Sequence, residues 1–321
     1  MKNLINNNIT KPLTKGQRLR RRIMQDWQLY LMVLIPLVYL IIFSYGPMYG
    51  VQIAFRDYSP RLGITGSPWV GFKWFIKFLD NPQFKQVFLN TVILSVYSLF
   101  VGFPLPIIFA LALNALRQKR LQKVAQTISY IPHFISATVM VSIILMVLSP
   151  ISGIYGNLYR LFGGDGFPDD FRSLSGAFRH IYVWSDVWKH LGWDSIIYVA
   201  ALSSVSPELH EAAKVDGATR FKRMIHVDLP AIMPTIAILF ILRCGHLISV
   251  GFEKAYLLQS TVNLSTSEII STYVFKNGMN SFKNFSYGSA VGLFNAIINL
   301  ILLLSVNKIT KKMTDGDVSL I

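Results

Sequence analysis

Asp186, Lys189, His190 and Trp193 stand at i, i+3, i+4 and i+7 in a largely apolar stretch, so on a helix they share one face. Such a set suits a sugar, whose hydroxyls take hydrogen bonds and whose apolar ring faces take an aromatic platform. It equally suits an interfacial turn that puts Trp184, Trp188 and Trp193 in the aromatic belt of a bilayer. Arg243 and His246, three apart in a later apolar run, share another face. A third face carries Gly288, Gly292, Asn295 and Asn299, which either line a path or pack a helix through a Gly-x-x-x-Gly seam. Polar groups at membrane depth cost roughly 2.5–3.5 kcal/mol each, so they face a cavity or a partner. Arg243 is the most expensive of them, and three readings stay open for it: an ion pair, a snorkelled position or a cavity wall.

Other chemistry is missing. The sequence has no His-Glu-x-x-His, no paired-cysteine motif, no Gly-x-Ser-x-Gly and no Walker-type phosphate loop. Gly163-Gly164-Asp165-Gly166 lacks the lysine of such a loop and reads as a turn. His133 and His226 read as helix-end residues, and no metal set is expected. The single cysteine, Cys244, excludes an internal disulfide. A membrane enzyme is therefore disfavoured. Any energy for work must come from a partner or an ion gradient.

The elements that position these residues follow from composition. The chain has 321 residues, 52% hydrophobic and only 15% charged, with mean hydropathy +0.45. A soluble domain carries about a quarter charged residues, so the pattern is that of an integral membrane protein. Six segments near 27–45, 87–113, 127–149, 183–205, 232–252 and 288–307 are long and apolar enough to cross a bilayer. The fold class is all-α and polytopic. Residues 1–26 form a basic tail, 27–307 a six-span domain and 308–321 a second tail. The first span follows Arg18–Arg22 and reads as an uncleaved signal anchor. Pro104 and Pro106 predict a kink in the second. Segments 1–26, 114–126, 206–231 and 308–321 hold 18 Lys and Arg in 79 residues, against 11 in 109 in the external segments 46–86, 150–182 and 253–287. Both termini are thus expected in the cytoplasm. The net charge of +15 is mostly topogenic, and no nucleic-acid motif accompanies it.

The loop 206–231 is different from the rest. Ser206 suits a helix N-cap, Pro207 the first turn and Glu208 the positive helix end. Gly217 suits a left-handed stop, which predicts a short helix over about 207–216. Ala212 and Ala213 leave room for another surface, and Arg220, Lys222 and Arg223 follow as a basic cluster. On these features the loop is a docking knob or a tidy turn between two spans.

Glu211-Ala212-Ala213, then Gly217, then Val227-Asp228-Leu229-Pro230 resembles the EAA loop of permease subunits in binding-protein-dependent ABC importers. Val227 stands where that family usually has Ile. Asp216-Gly217-Ala218 and Trp188-Lys-x-x-Gly192-Trp193 are similar to the carbohydrate-importing branch, and Tyr45–Gly50 and Tyr130–Ser136 add weaker likeness. The resemblance implies a type I importer permease fold. It implies that Glu211, Ala212, Ala213, Asp216, Gly217, Arg220, Leu229 and Pro230 form a coupling element seated in a cytoplasmic ATPase. It also implies a second homologous permease, an ATPase dimer that binds ATP and magnesium, and an external solute-binding protein, which Trp69, Trp74 or Tyr155 would touch. No cofactor is implied for this chain. The expected activity is import of an oligosaccharide, not catalysis. A peptide or polyamine importer and an ion-coupled transporter are the rival readings. The substrate path is expected along Asp186, Lys189, Trp193, Arg243, His246, Asn295 and Asn299.

Overall fold

The computed structural model describes residues 16, 24–171, 173–280 and 284–313. Most of the basic tail 1–26, including Arg18–Arg22, and residues 314–321 lie outside the described residues. The chain divides into two compact units, residues 1–52 and 53–321. In the first, α1 (Trp27–Leu40) is apolar around its whole circumference and continues through a π turn, Ile41–Tyr45. It belongs to a helical stretch, Trp27–Phe55, of mean hydropathy 2.2. A helix apolar on all sides, and long enough, suits a bilayer.

In the second unit, α2 (Phe84–Gly102) and α3 (Pro104–Asn114) form the next span. The break falls at Phe103, where Pro104 and Pro106 supply no N–H for the carbonyls of Phe100 and Gly102. The predicted third span, 127–149, is not one straight helix. Lys119–Phe134, which begins as α4 (Lys119–Tyr130), and α5 (Ala137–Val147) meet at a bend of 104°. Pro132 starts a 3-10 turn there, and Ser136 caps the new helix by accepting from the Val139 N–H at 3.2 Å. Helix α6 (Ala177–Ser203) runs unbroken for 27 residues, about 40 Å. It starts earlier than the predicted 183 and carries the polar stripe. Helix α7 (Pro207–Val215) follows on the loop.

The fifth span also differs from its prediction. The loop's helical stretch Arg220–Ala231 meets α8 (Met233–Gly245) at 62°, and α8 ends short of residue 252. Residues 253–287 are likewise not simply an external loop. Short helices Phe252–Leu258 and Ile270–Val274 bury Ala255, Leu258, Ile270 and Tyr273. Helix α9 (Phe285–Met313) closes the chain. Its glycine seam is Gly278 against Gly288, where a Cβ on Gly278 would stand 2.9 Å from the Gly288 Cα; the space at Gly292 is open. Among the described residues three helices are long and apolar enough to span, or five spans if each bent pair counts as one; the more polar α6 covers the fourth predicted segment. The interior buries Asn90, Thr91 and Ser95, while Phe100, Ile108, Leu300 and Ile301 face outward. That distribution reverses the soluble pattern and suits lipid or a partner's apolar face.

Candidate functional site

The loop is built as its residues dictate. The Ser206 hydroxyl accepts from the Glu208 N–H at 3.2 Å, and Pro207 occupies the first turn of α7. At the other end Gly217 adopts φ +74°, its N–H reaches the Lys214 carbonyl at 3.0 Å, and the Ala218 N–H reaches Ala213 at 2.9 Å. Those two bonds together form a Schellman stop, which uses the left-handed residue to satisfy the last carbonyls. Thr219 then caps Arg220–Arg223, and a π turn, Met224–Asp228, leads into Leu229 and Pro230. Glu211, Ala212, Asp216 and Arg220 are exposed, as are the apolar Leu209, Val215 and Phe221. Among the described residues the Glu211 side chain makes no hydrogen bond or ion pair within the chain, so its carboxylate is free to meet another surface.

The tie that holds α7 to the membrane domain runs instead through a residue to which sequence reading assigns no role of its own. Asp228 is buried; its Oδ1 lies 3.2 Å from His210 Nε2 on α7 and accepts from Asn114 Nδ2 at the end of α3 at 3.3 Å. Burial pushes its carboxyl up, against the pull of His210 and Arg223. Asp228 lay inside the quoted Val-Asp-Leu-Pro run, but nothing local reveals that residues 114 and 210 meet it. A basic cleft of about 640 Å³, lined by Arg117, Lys214, Arg220 and Arg223, opens beside it.

Within the spans the structure separates the expected path residues. Arg243 and His246 together line two cavities, of about 300 and 230 Å³. Asp194 and Tyr198 join them in the first, and Asp186, Ser95 and Ser98 in the second. Asp186 is already engaged: Lys254 Nζ lies 3.2 Å and His190 Nδ1 3.4 Å away. Lys254 is buried, donates also to the Tyr182 carbonyl at 2.5 Å, and comes from the segment read as an external loop. Lys189 and Trp193 line neither cavity. Trp193 stacks flat on His133 at 4.1 Å. Gly192 beside it serves close packing, since a Cβ there would stand 2.3 Å from the Ser129 carbonyl oxygen. Asn299 is a strut: it accepts from the Ile248 N–H and donates to Ser249, both at 3.0 Å, holding the chain where α8 has ended. Asn295 is half-buried with its Oδ1 unpartnered. Of the external aromatics, Trp74 is buried and donates to the Arg56 carbonyl at 3.1 Å, so it is closed to a binding protein; Trp69 is exposed and stacked on Phe55. Tyr155 is half-buried against Phe171.

A helical membrane domain with a capped, exposed loop and a polar interior has clear relatives. The polygalacturonan/rhamnogalacturonan transport system permease protein YteP of Bacillus subtilis (strain 168) is 42% identical over 298 residues, 93% of this chain and 92% of that protein. A solved bacterial ABC transporter involved in the import of the acidic polysaccharide alginate contains a chain with TM-score 0.83 and 39% identity, covering 92% of this chain and 99% of that one. A bacterial alginate ABC transporter in complex with an alginate pentasaccharide-bound periplasmic protein gives TM-score 0.84 and 37% identity, over 94% and 100%. Residues 102–315, which hold the loop 206–231 and the whole lining of the first cavity, match the family described as binding-protein-dependent transport system inner membrane component, and the chain belongs to that family of membrane transport permeases.

Proposed function

We propose that this chain is one permease subunit of an ABC importer of oligosaccharides, with α7 as the element that receives the ATPase stroke. The observation that carries the reading is the loop itself: a helix closed at both ends, exposing Glu211, Leu209 and Val215 to the outside and tied through His210 and Asp228 to α3. A rigid knob of that kind transmits a push into the membrane domain rather than absorbing it. Six spans are few for a two-bundle pore, so a second, homologous permease completes the path. A cytoplasmic ATPase dimer supplies the energy, and a solute-binding protein delivers the cargo outside. The lysine and arginine bias supports cytoplasmic termini. The sugar assignment rests on the relatives, which handle polygalacturonan, rhamnogalacturonan and alginate.

The test is uptake by the assembled complex in proteoliposomes, with its binding protein present. ATP-dependent accumulation of an oligosaccharide, unaffected by collapse of the ion gradients, is expected. Accumulation that needs a gradient but no ATPase would move the chain to the ion-coupled class. Uptake of peptides or polyamines alone would overturn the sugar assignment.

A further inference from the structure

Arg243 sits in the last turn of α8, inside the segment read as the fifth span, yet among the described residues no carboxylate lies within 4.0 Å of its guanidinium. Asp186, one acidic neighbour across the second cavity, is committed to Lys254 and His190. Asp194, which shares the first cavity, stands beyond 4.0 Å and feels the charge of Arg243 across that space. The guanidinium lies over Gly102, at the proline break of the second span, where an added Cβ would meet Nη2 at 3.8 Å. An arginine at bilayer depth that makes no close ion pair among the described residues is tolerable facing water or an anion that arrives from elsewhere. The end of a helix broken within the membrane is also where transporters place charged-ligand sites, and its negative dipole end steadies the cation.

The surroundings say which kind of anion. The hydroxyls of Ser95 and Ser98, on the wall of the second cavity, are buried and without partners. Asp194 and Tyr198 add an acceptor and a hydroxyl on the wall of the first. Hydroxyls flanking one planar cation, with the Asp194 carboxylate across the first cavity, match a molecule rich in hydroxyls that also carries a carboxylate, which an arginine fork grips by two parallel bonds. The geometry points to Arg243, with His246 one turn on, as the group that receives the carboxylate of a uronic-acid residue as it passes, so that the cargo class is an acidic oligosaccharide. This rests on the importer reading above.

The experiment uses the assembled complex in proteoliposomes with trigalacturonate and its methyl ester as probes. Wild type takes up trigalacturonate; Arg243→Gln lowers that uptake about tenfold or more, the scale of losing a charged hydrogen bond, while Arg243→Lys retains part of it. The loss falls less on the ester wherever the ester is carried. Equal trigalacturonate uptake by wild type and Arg243→Gln overturns the carboxylate assignment and leaves the importer reading standing. Failure of wild type to carry any oligosaccharide overturns both. Should Arg243→Gln not assemble, His246→Cys in a Cys244→Ser background decides the matter. Labelling by an anionic methanethiosulfonate, slowed by trigalacturonate and not by the ester, is expected. No labelling, or no such protection, overturns the proposal.

Discussion

Lys254 and Asp228 show how single charges are made tolerable here. Lys254 is buried against Asp186 at 3.2 Å, and truncating one member of such a pair strands the other, at about 3–5 kcal/mol. Lys73 and Asp57 form an exposed pair at 3.1 Å, worth under about 1 kcal/mol. Lys254→Met is therefore expected to lower the melting temperature of the purified complex far more than Lys73→Met does; equal shifts would contradict the buried-pair account. Asp228 differs because burial raises its carboxyl. The folded protein holds that proton to higher pH than the unfolded chain, so this group's contribution to stability is greatest in acid and is lost as pH rises through the raised value. Asp228→Asn is expected to match or exceed wild-type thermal stability at neutral pH, whereas Asp228→Ala, which leaves Asn114 without its partner, falls below it. A steep loss in the Asn variant would show that the charge, not the hydrogen bonds, holds α7.

Among the elements, α7 is the one whose sequence and structure agree nearly residue for residue. Its cap, its first-turn proline and its glycine stop act within ten residues, so local chemistry decides them. Gly217 has open space around its Cα, and only its φ of +74° restricts substitution. Gly217→Asn, which tolerates that conformation, is expected to retain more substrate-stimulated ATP hydrolysis than Gly217→Val, a β-branched residue for which the left-handed region costs at least about 1–2 kcal/mol. Identical defects would mean that side-chain volume at the docking surface, not the turn, is what matters. The second and sixth spans were legible for a similar reason: long apolar runs have few alternatives. The third and fifth were not. Their bends, at 135–136 and around 232, depend on where neighbouring helices lie, and a hydropathy window averages across them. The buried short helices of 252–274 fall below any length that signals a span. The polar stripe on α6 was visible as a stripe. That Asp186 would meet Lys254, 68 positions away, while Trp193 turned to His133, depended on the fold.

At the scale of the whole molecule, the chain presents the exposed helix α7 and, within, an arginine that makes no close ion pair among the described residues. Neither is completed by its own residues. Partners of the kinds proposed would complete both: an ATPase groove against α7, and a second permease and a cargo opposite Arg243. The most direct measurement is affinity capture of the tagged chain from gently solubilised membranes, with mass spectrometry of what accompanies it and the Gly217→Val variant in parallel. The account predicts recovery of a second permease and a P-loop ATPase with the native chain, and loss of the ATPase but not of the permease with the variant. Recovery of the chain alone or as a self-oligomer, with no ATPase in any detergent, would contradict it.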